Sequence, residues 1–438
     1  MKLTKIGFAA STALCLSMAS AYADSNEAYL TQTKDNHSAL IDQSDGSGNK
    51  AGRSDGAILQ FGRNTTLGNT LTIDQDGSNN AVGTGQVAAG ENTGFYQLNQ
   101  SGPGSTATIS QDSSGTAAAL GNSIVKVYQR SETASASGSL LVATQTGDEN
   151  EITSVSQRRN GSTDGSTAGR LGHTATLSQT GNDNLIALVN QSGANQSAVL
   201  SITGNSNGRG TLSGLAAVGA ADSSAVQSGS SNRLNYMVSD GDNNQFGFLQ
   251  AGNGNSAEGL TILGDRNELG IYQSGNTNTV SLAAVTGDDN VIGLTQNGVG
   301  NTASASILNG GSNNEFGIMQ NGVTNVASLS IDGDDNGLSS STGLFGVAAT
   351  VGGLDGMISQ WGTSNEATLT VVGNGNAFAL GQGAALGDGN GNLITGVVSG
   401  NNNAAAVSQL SNGNTAVFTQ TGNGNAAGIS QGVTSPTT

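Results

Sequence analysis

The sequence predicts an all-β fold: a repeat β-solenoid with two strands in each coil of about 23 residues, its two parallel sheets packed over a thin core. Three observations predict it. Glutamines recur at Gln227, Gln250, Gln273, Gln296 and Gln320, in steps of 23, 23, 23 and 24 residues. Gly-x-x-Asn turns punctuate the same stretch every 11 to 13 residues, from Gly229/Asn232 and Gly241/Asn244 to Gly333/Asn336, so two turns make one repeat. Between turns the apolar period is 2, which excludes a helix.

The alternation takes the form Asn-x-φ-x-φ-x-Gln, where φ is apolar. Asn244, Phe246, Phe248 and Gln250 make one copy; Asn267, Leu269, Ile271 and Gln273 the next. Asn290, Ile292, Leu294 and Gln296 follow, then Asn314, Phe316, Ile318 and Gln320. Side chains of a strand alternate faces, so these four positions point inward together. The intervening half-repeats carry smaller groups: Ala257 and Gly259, Val280 and Leu282, Ala303 and Ala305, Ala327 and Leu329. Large opposite small suits two sheets across a thin core. Each coil should rise by about 4.8 Å, the spacing of paired strands, which stacks Gln on Gln and Asn on Asn as in cross-β assemblies.

Residues 1–23 fit a secretory signal: Lys2 and Lys5, an apolar run from Ile6 to Ala19, then Ala21-Tyr22-Ala23 before Asp24. The run is too short to span a membrane, and no later segment is long and apolar enough. Cys15, the one cysteine, lies inside it, so the mature chain has no disulfide to rely on. Without Lys2 and Lys5 the chain has 12 basic against 31 acidic residues, a net of −19, and no Lys or Arg follows Arg266. Nucleic acid is thereby excluded as a partner, since no basic track could neutralise phosphates. With 68 Gly in 438 residues and aromatics at 4 %, a core of ordinary thickness could not be filled.

Residues 24–207 continue the frame with insertions, in copies such as Asn69, Leu71, Ile73 and Gln75, or Ser123, Val125, Val127 and Gln129. His37 and His173 stand where Asn stands elsewhere, as polar ladder substitutes rather than ligands or bases. Residues 208–226 and 337–359 are loop insertions flanking the regular repeats of 227–336, and 360–431 resumes the repeats before a patternless tail at 432–438. Further irregular stretches fall at 158–170, with the Arg158-Arg159 pair in a solvated loop, and at 383–385. All are expected to be extruded from one edge of the stack. The closing copies, Asn403 to Gln409, Asn414 to Gln420 and Asn425 to Gln431, are as regular as internal ones, which points toward end-to-end growth.

These residues resemble the curlin-repeat family, the major subunit of curli fibres and its nucleator. That repeat has Gln-x-Gly-x-x-Asn-x-Ala and a further Gln; Gln409 to Gln431 and Gln296 to Ala303 match it. The resemblance implies a secreted subunit, located outside the cell in the fibre (fimbrium), that polymerises into amyloid of the biofilm matrix for adhesion and cell aggregation. It implies as partners other copies of itself, a nucleator subunit and an outer-membrane export channel, and no cofactor. The chain departs from the family in having many more coils, large insertions and little room for an export segment before Gln32.

No acid, base or nucleophile cluster converges, so an enzyme is not expected. The alternative is a monomeric extracellular solenoid adhesin or an ice- or carbohydrate-binding scaffold, with Tyr272 and Trp361, flanking turns at strand ends, as candidate stacking platforms. One metal candidate is an acidic column, Asp242, Asp265 and Asp288 at a 23-residue step with Asp334 beyond. Carboxylates about 5 Å apart repel by roughly 1 kcal/mol in water; they would bind a cation such as calcium, or serve turn chemistry while their charges slow premature stacking.

Overall fold

The computed structural model describes residues 25–432 apart from 34–35, 44–45, 55, 62–66, 85–97, 115–119, 132–137, 160–171, 220, 338–354 and 384–388. The expected leader at 1–23, most of the tail and most of the insertions at 158–170 and 337–359 lie outside the described residues. The chain divides into two compact units, Met1–Arg209 with Ser223–Leu234, and Gly210–Asp222 with Asn235–Thr438.

In the second unit one sheet is built from Gln245–Asn253, Glu268–Asn276, Val291–Val299, Glu315–Val323, Met357–Thr363, Ala377–Gln382, Ala404–Gln409 and Ala426–Gln431. Its neighbours are parallel and in register one coil apart. The strands between them, from Ser256–Leu263 and Thr279–Thr286 to Thr415–Thr421, form the opposing parallel sheet. The first unit repeats the plan. Ser123–Ser131, Glu151–Arg159 and Leu185–Ala194 stack in one sheet, and Thr70–Asp76, Thr106–Asp112, Leu140–Thr146 and Thr174–Thr180 in the other. Each unit is thus a two-strand-per-coil parallel β-solenoid.

The inward positions fill the core. Phe246, Phe248, Leu269, Ile271, Ile292, Leu294, Phe316 and Ile318 are all buried. Each contributes about 1.5–3 kcal/mol through the apolar area it removes from water. Tyr236 enters the same core, its ring 5.1 Å from Phe246 and 5.0 Å from Phe248. Burial pushes the Tyr236 phenol well above the usual tyrosine range, so it stays protonated.

Five local expectations need correction. In the strand 123–131 the inward residues are Asn122, Ile124, Val127 and Gln129; Ser123 and Val125 face out. An extra residue between the two apolar positions makes a bulge, and it recurs in register at Asn150/Ile152/Val155/Gln157, so the ladder survives it. In Ser256–Leu263 the inward apolar residues are Ala257, Leu260 and Ile262, while Gly259 is exposed. Arg158-Arg159 ends a strand rather than lying in a loop, and Tyr272 stands mid-strand on the outer face rather than beside a turn. The described residues of 210–222 are not extruded from an edge: they lie on the outer face of their unit's sheet and contain the 3-10 turn Gly214–Ala217.

Candidate functional site

The polar residues that flank the core in each strand form three kinds of ladder, and each has a direction. In the second unit Gln250 Nε2 donates to Gln273 Oε1 at 2.8 Å, Gln273 to Gln296 at 2.9 Å and Gln296 to Gln320 at 2.9 Å. The chain of bonds runs on through Gln360, Gln382 and Gln409 to Gln431. Each Nε2 has two protons, and the second goes to a backbone carbonyl of the opposing sheet, as Gln296 to Thr279 O and Gln409 to Leu393 O. One amide therefore pins two coils and two sheets.

The asparagine ladder runs the other way. The backbone N–H of Asn267 donates to Asn244 Oδ1 at 2.8 Å, that of Asn290 to Asn267, and that of Asn314 to Asn290. The series continues through Asn336, Asn376 and Asn403 to Asn425. A second column, Asn255, Asn278, Asn301, Asn325, Asn365, Asn392 and Asn414, does the same at the other corner of the coil. Most Nδ2 groups cap a turn carbonyl one coil on, for example Asn267 to Gly287 O; Asn365, Asn414 and Asn425 bond a carbonyl within their own coil, and Asn392 Nδ2 has no partner among the described residues. Buried amides are costly unless bonded; here the stack itself supplies the partners. Gln420 is the exception among the expected ladder residues. It stacks on Val398, because the opposing sheet of this unit carries aliphatic residues such as Ile307, Ile331 and Val371 where the other sheet carries Gln.

In the first unit Gln32, Gln60, Gln100, Gln129, Gln157, Gln191 and Gln227 form one glutamine ladder, and Gln43, Gln75, Gln111, Gln145 and Gln179 form another. The histidines take asparagine's part: Asn69 N–H donates to His37 Nδ1 at 3.0 Å and Gln196 N–H to His173 Nδ1 at 3.4 Å. Their Nε2 atoms face the carbonyls of Thr33 and Arg158, which fixes the Nε2–H tautomer.

The acidic column is a third ladder. Asp242 N–H donates to Asp265 Oδ1 and Asp265 N–H to Asp288 Oδ1, both at 2.8 Å. Ser312 fills the next step, followed by Asp334, then Asn374, Asn401 and Asn423. Asn serves at this position as well as Asp, so the geometry asks for an acceptor and not for a charge. Among the described residues no group of three or more His, Cys, Asp or Glu side chains is arranged to hold a metal. Arg266 reaches Asp289 through both carboxylate oxygens, at 2.6 and 2.7 Å, and this hydrogen bonding holds the Asp289 carboxyl below its ordinary range.

A family comparison matches the curlin-associated repeat to residues 264–298 and 400–432, ranges that contain copies of these Gln, Gly and Asn positions. The chain carries curlin-associated repeats. No curated protein matches it. The two matched curlin repeats lie in the second unit, and the same ladder bonds continue through the coils around them. Among the described residues no helix is long and apolar enough to cross a membrane. The sequence reading missed one feature of the site, the direction of each ladder, which depends on amide orientation rather than on residue type.

Proposed function

We propose that the chain is a secreted, non-enzymatic structural subunit that self-assembles into curli-like amyloid fibres outside the cell, serving adhesion and cell aggregation. The observation that carries this reading is the directed, in-register ladder. One edge of every coil presents Gln Nε2–H donors and Asn Oδ1 acceptors, and the opposite edge presents their complements. An edge of one copy can therefore continue on the edge of another with the bonds used inside the chain, as cross-β stacking requires. The curlin repeats support the same reading. A nucleating subunit and an outer-membrane export channel are the partners such a subunit would need.

The test is dilution of the chain, without residues 1–23, from denaturant, followed by thioflavin fluorescence and fibre diffraction. A lag and then a rise, with reflections near ~4.7 Å and ~10 Å, is the expected result. A β-rich monomer that stays dye-negative even when seeded would overturn self-assembly in favour of a monomeric adhesin or carbohydrate-binding scaffold.

A further inference from the structure

Outward-facing glycines are unexpected in the middle of strands, where they add flexibility and no packing. The second unit nevertheless stacks four of them in register: Gly247 on Gly270, Gly270 on Gly293, and Gly293 on Gly317. All four are buried although they point away from the core. Over Gly270, Gly293 and Gly317 the cover comes from residues 215–216 of the 210–222 segment. A Cβ on Gly270 would overlap the Ala216 carbonyl oxygen, and one on Gly293 would overlap that of Leu215. Backbone thus lies directly on backbone. The footprint ends where the glycines end: Gly317 still has Leu215 Cδ1 beside it, and the next residue of the column is Met357.

Polar groups fix this segment at the flanking column Gln245, Glu268, Val291 and Glu315, the first residues of the same four strands. Gly210 N–H donates to Gln245 Oε1 at 2.7 Å, Ser213 Oγ–H to Glu268 Oε2 at 2.8 Å, and Leu215 N–H to Glu315 Oε1 at 3.3 Å. Leu212 N–H donates to Asp222 Oδ1, tying the two ends of the segment together. Ala216 is fully buried, and the Tyr272 ring lies against Gly219. On the other side of the glycines runs an outward column of Leu249, Tyr272, Thr295 and Met319. With the segment in place these residues are only half-exposed.

We propose that residues 210–222 are a strap that closes a lateral docking face for a second copy of this chain. The strip beneath it, a glycine groove beside Leu249, Tyr272 and Met319, has the flat, small-residue relief on which a second sheet packs face to face. The groove already accepts a segment of this same sequence, and Leu249, Tyr272 and Met319 give the strip beside it a row of large side chains that another copy carries as well. While the strap sits in its own groove, copies meet through strand edges alone. Once it leaves, they also associate side by side. The part concerning fibres rests on the self-assembly reading above; the part concerning the soluble chain does not.

The test uses Gly270→Ala with Gly293→Ala in the full chain lacking only residues 1–23. Neither glycine has a left-handed backbone, and alanine faces away from the core, so the coils keep their ladders while the strap loses its seat. The expected result is protease cleavage within 210–222 at least tenfold faster than in the unsubstituted chain, together with side-by-side oligomers by light scattering in dye-negative solution. A strap as protected as before overturns the seat, and a released strap with no lateral association overturns the docking face. If the double variant does not fold, judged by circular dichroism, replacement of 211–221 by Gly-Ser-Gly asks the same question of light scattering. Where thioflavin shows no polymer for any chain, the self-assembly reading fails while the strap measurement still stands.

Discussion

At the scale of the residue, a glutamine in this stack is valuable because it is a donor twice and an acceptor once. Gln296 is fully buried, accepts a hydrogen bond from Gln273, and donates its own two to Gln320 and Thr279. Gln296→Ala removes the donor for Gln320 Oε1 and leaves a cavity, a loss of about 2–4 kcal/mol. Gln296→Glu keeps the volume but turns acceptors toward Gln320 Oε1 and Thr279 O in a site closed to water. At neutral pH it should be the more damaging of the two, since a buried unpaired charge costs more than a void. Denaturant midpoints on the soluble chain order the three proteins: unsubstituted, then Ala, then Glu. A Glu variant with the midpoint of the unsubstituted chain, above that of Ala, would show that side-chain volume, not the direction of the amide bond, is what the ladder requires. The Arg266–Asp289 pair is a weaker case. Its folded carboxyl is held below the ordinary range, so its contribution is present above the unfolded value and fades as the pH falls through the folded one. With both partners about half exposed, water and salt keep that contribution small.

At the scale of the element, turns are held as tightly as strands. Gly298 has φ of 124°, and a Cβ there would overlap the Gly322 carbonyl oxygen of the next coil. Gly310, with φ of 79°, has nothing within 4 Å of the same position. Alanine at either site incurs backbone strain of about 1–3 kcal/mol. Gly298→Ala must in addition push two coils apart, so its thermal midpoint should fall well below that of Gly310→Ala. Coincident midpoints would mean that the coils are not in close contact at their turns. The glutamine column, the asparagine column and the core pair were legible in the sequence because every copy repeats them at one step. The bulges in 123–131 and 151–159 were not, since one added residue disappears within a turn period that already varies from 11 to 13. The strap was hidden for another reason: its own residues 210–222 have no period. Its signal lay elsewhere, in Gly247, Gly270, Gly293 and Gly317, four glycines at the coil step in mid-strand, where no turn needs them.

At the scale of the whole molecule, charge opposes the association proposed for the ladders. Without residues 1–23 the chain has a net charge of −19, and copies brought edge to edge repel. Asp242, Asp265 and Asp288 concentrate part of that charge at the turns of successive coils. There the Asp265 and Asp288 carboxylates work as acceptors, and asparagine does the same work at 374, 401 and 423. Changing all three to Asn therefore keeps the hydrogen bonds while removing three charges, so folded stability should hold or rise slightly and the thioflavin lag should shorten. Salt provides the independent check. The screening length falls from about 10 Å at 0.1 M to about 3 Å at 1 M, so the lag of the unsubstituted chain should shorten steeply with added salt, and that of the triple variant less steeply. Equal lags at low salt would remove these aspartates from the control of assembly and leave them as turn acceptors only. Parallel salt curves with unequal lags would place their effect in the turn itself rather than in repulsion between copies.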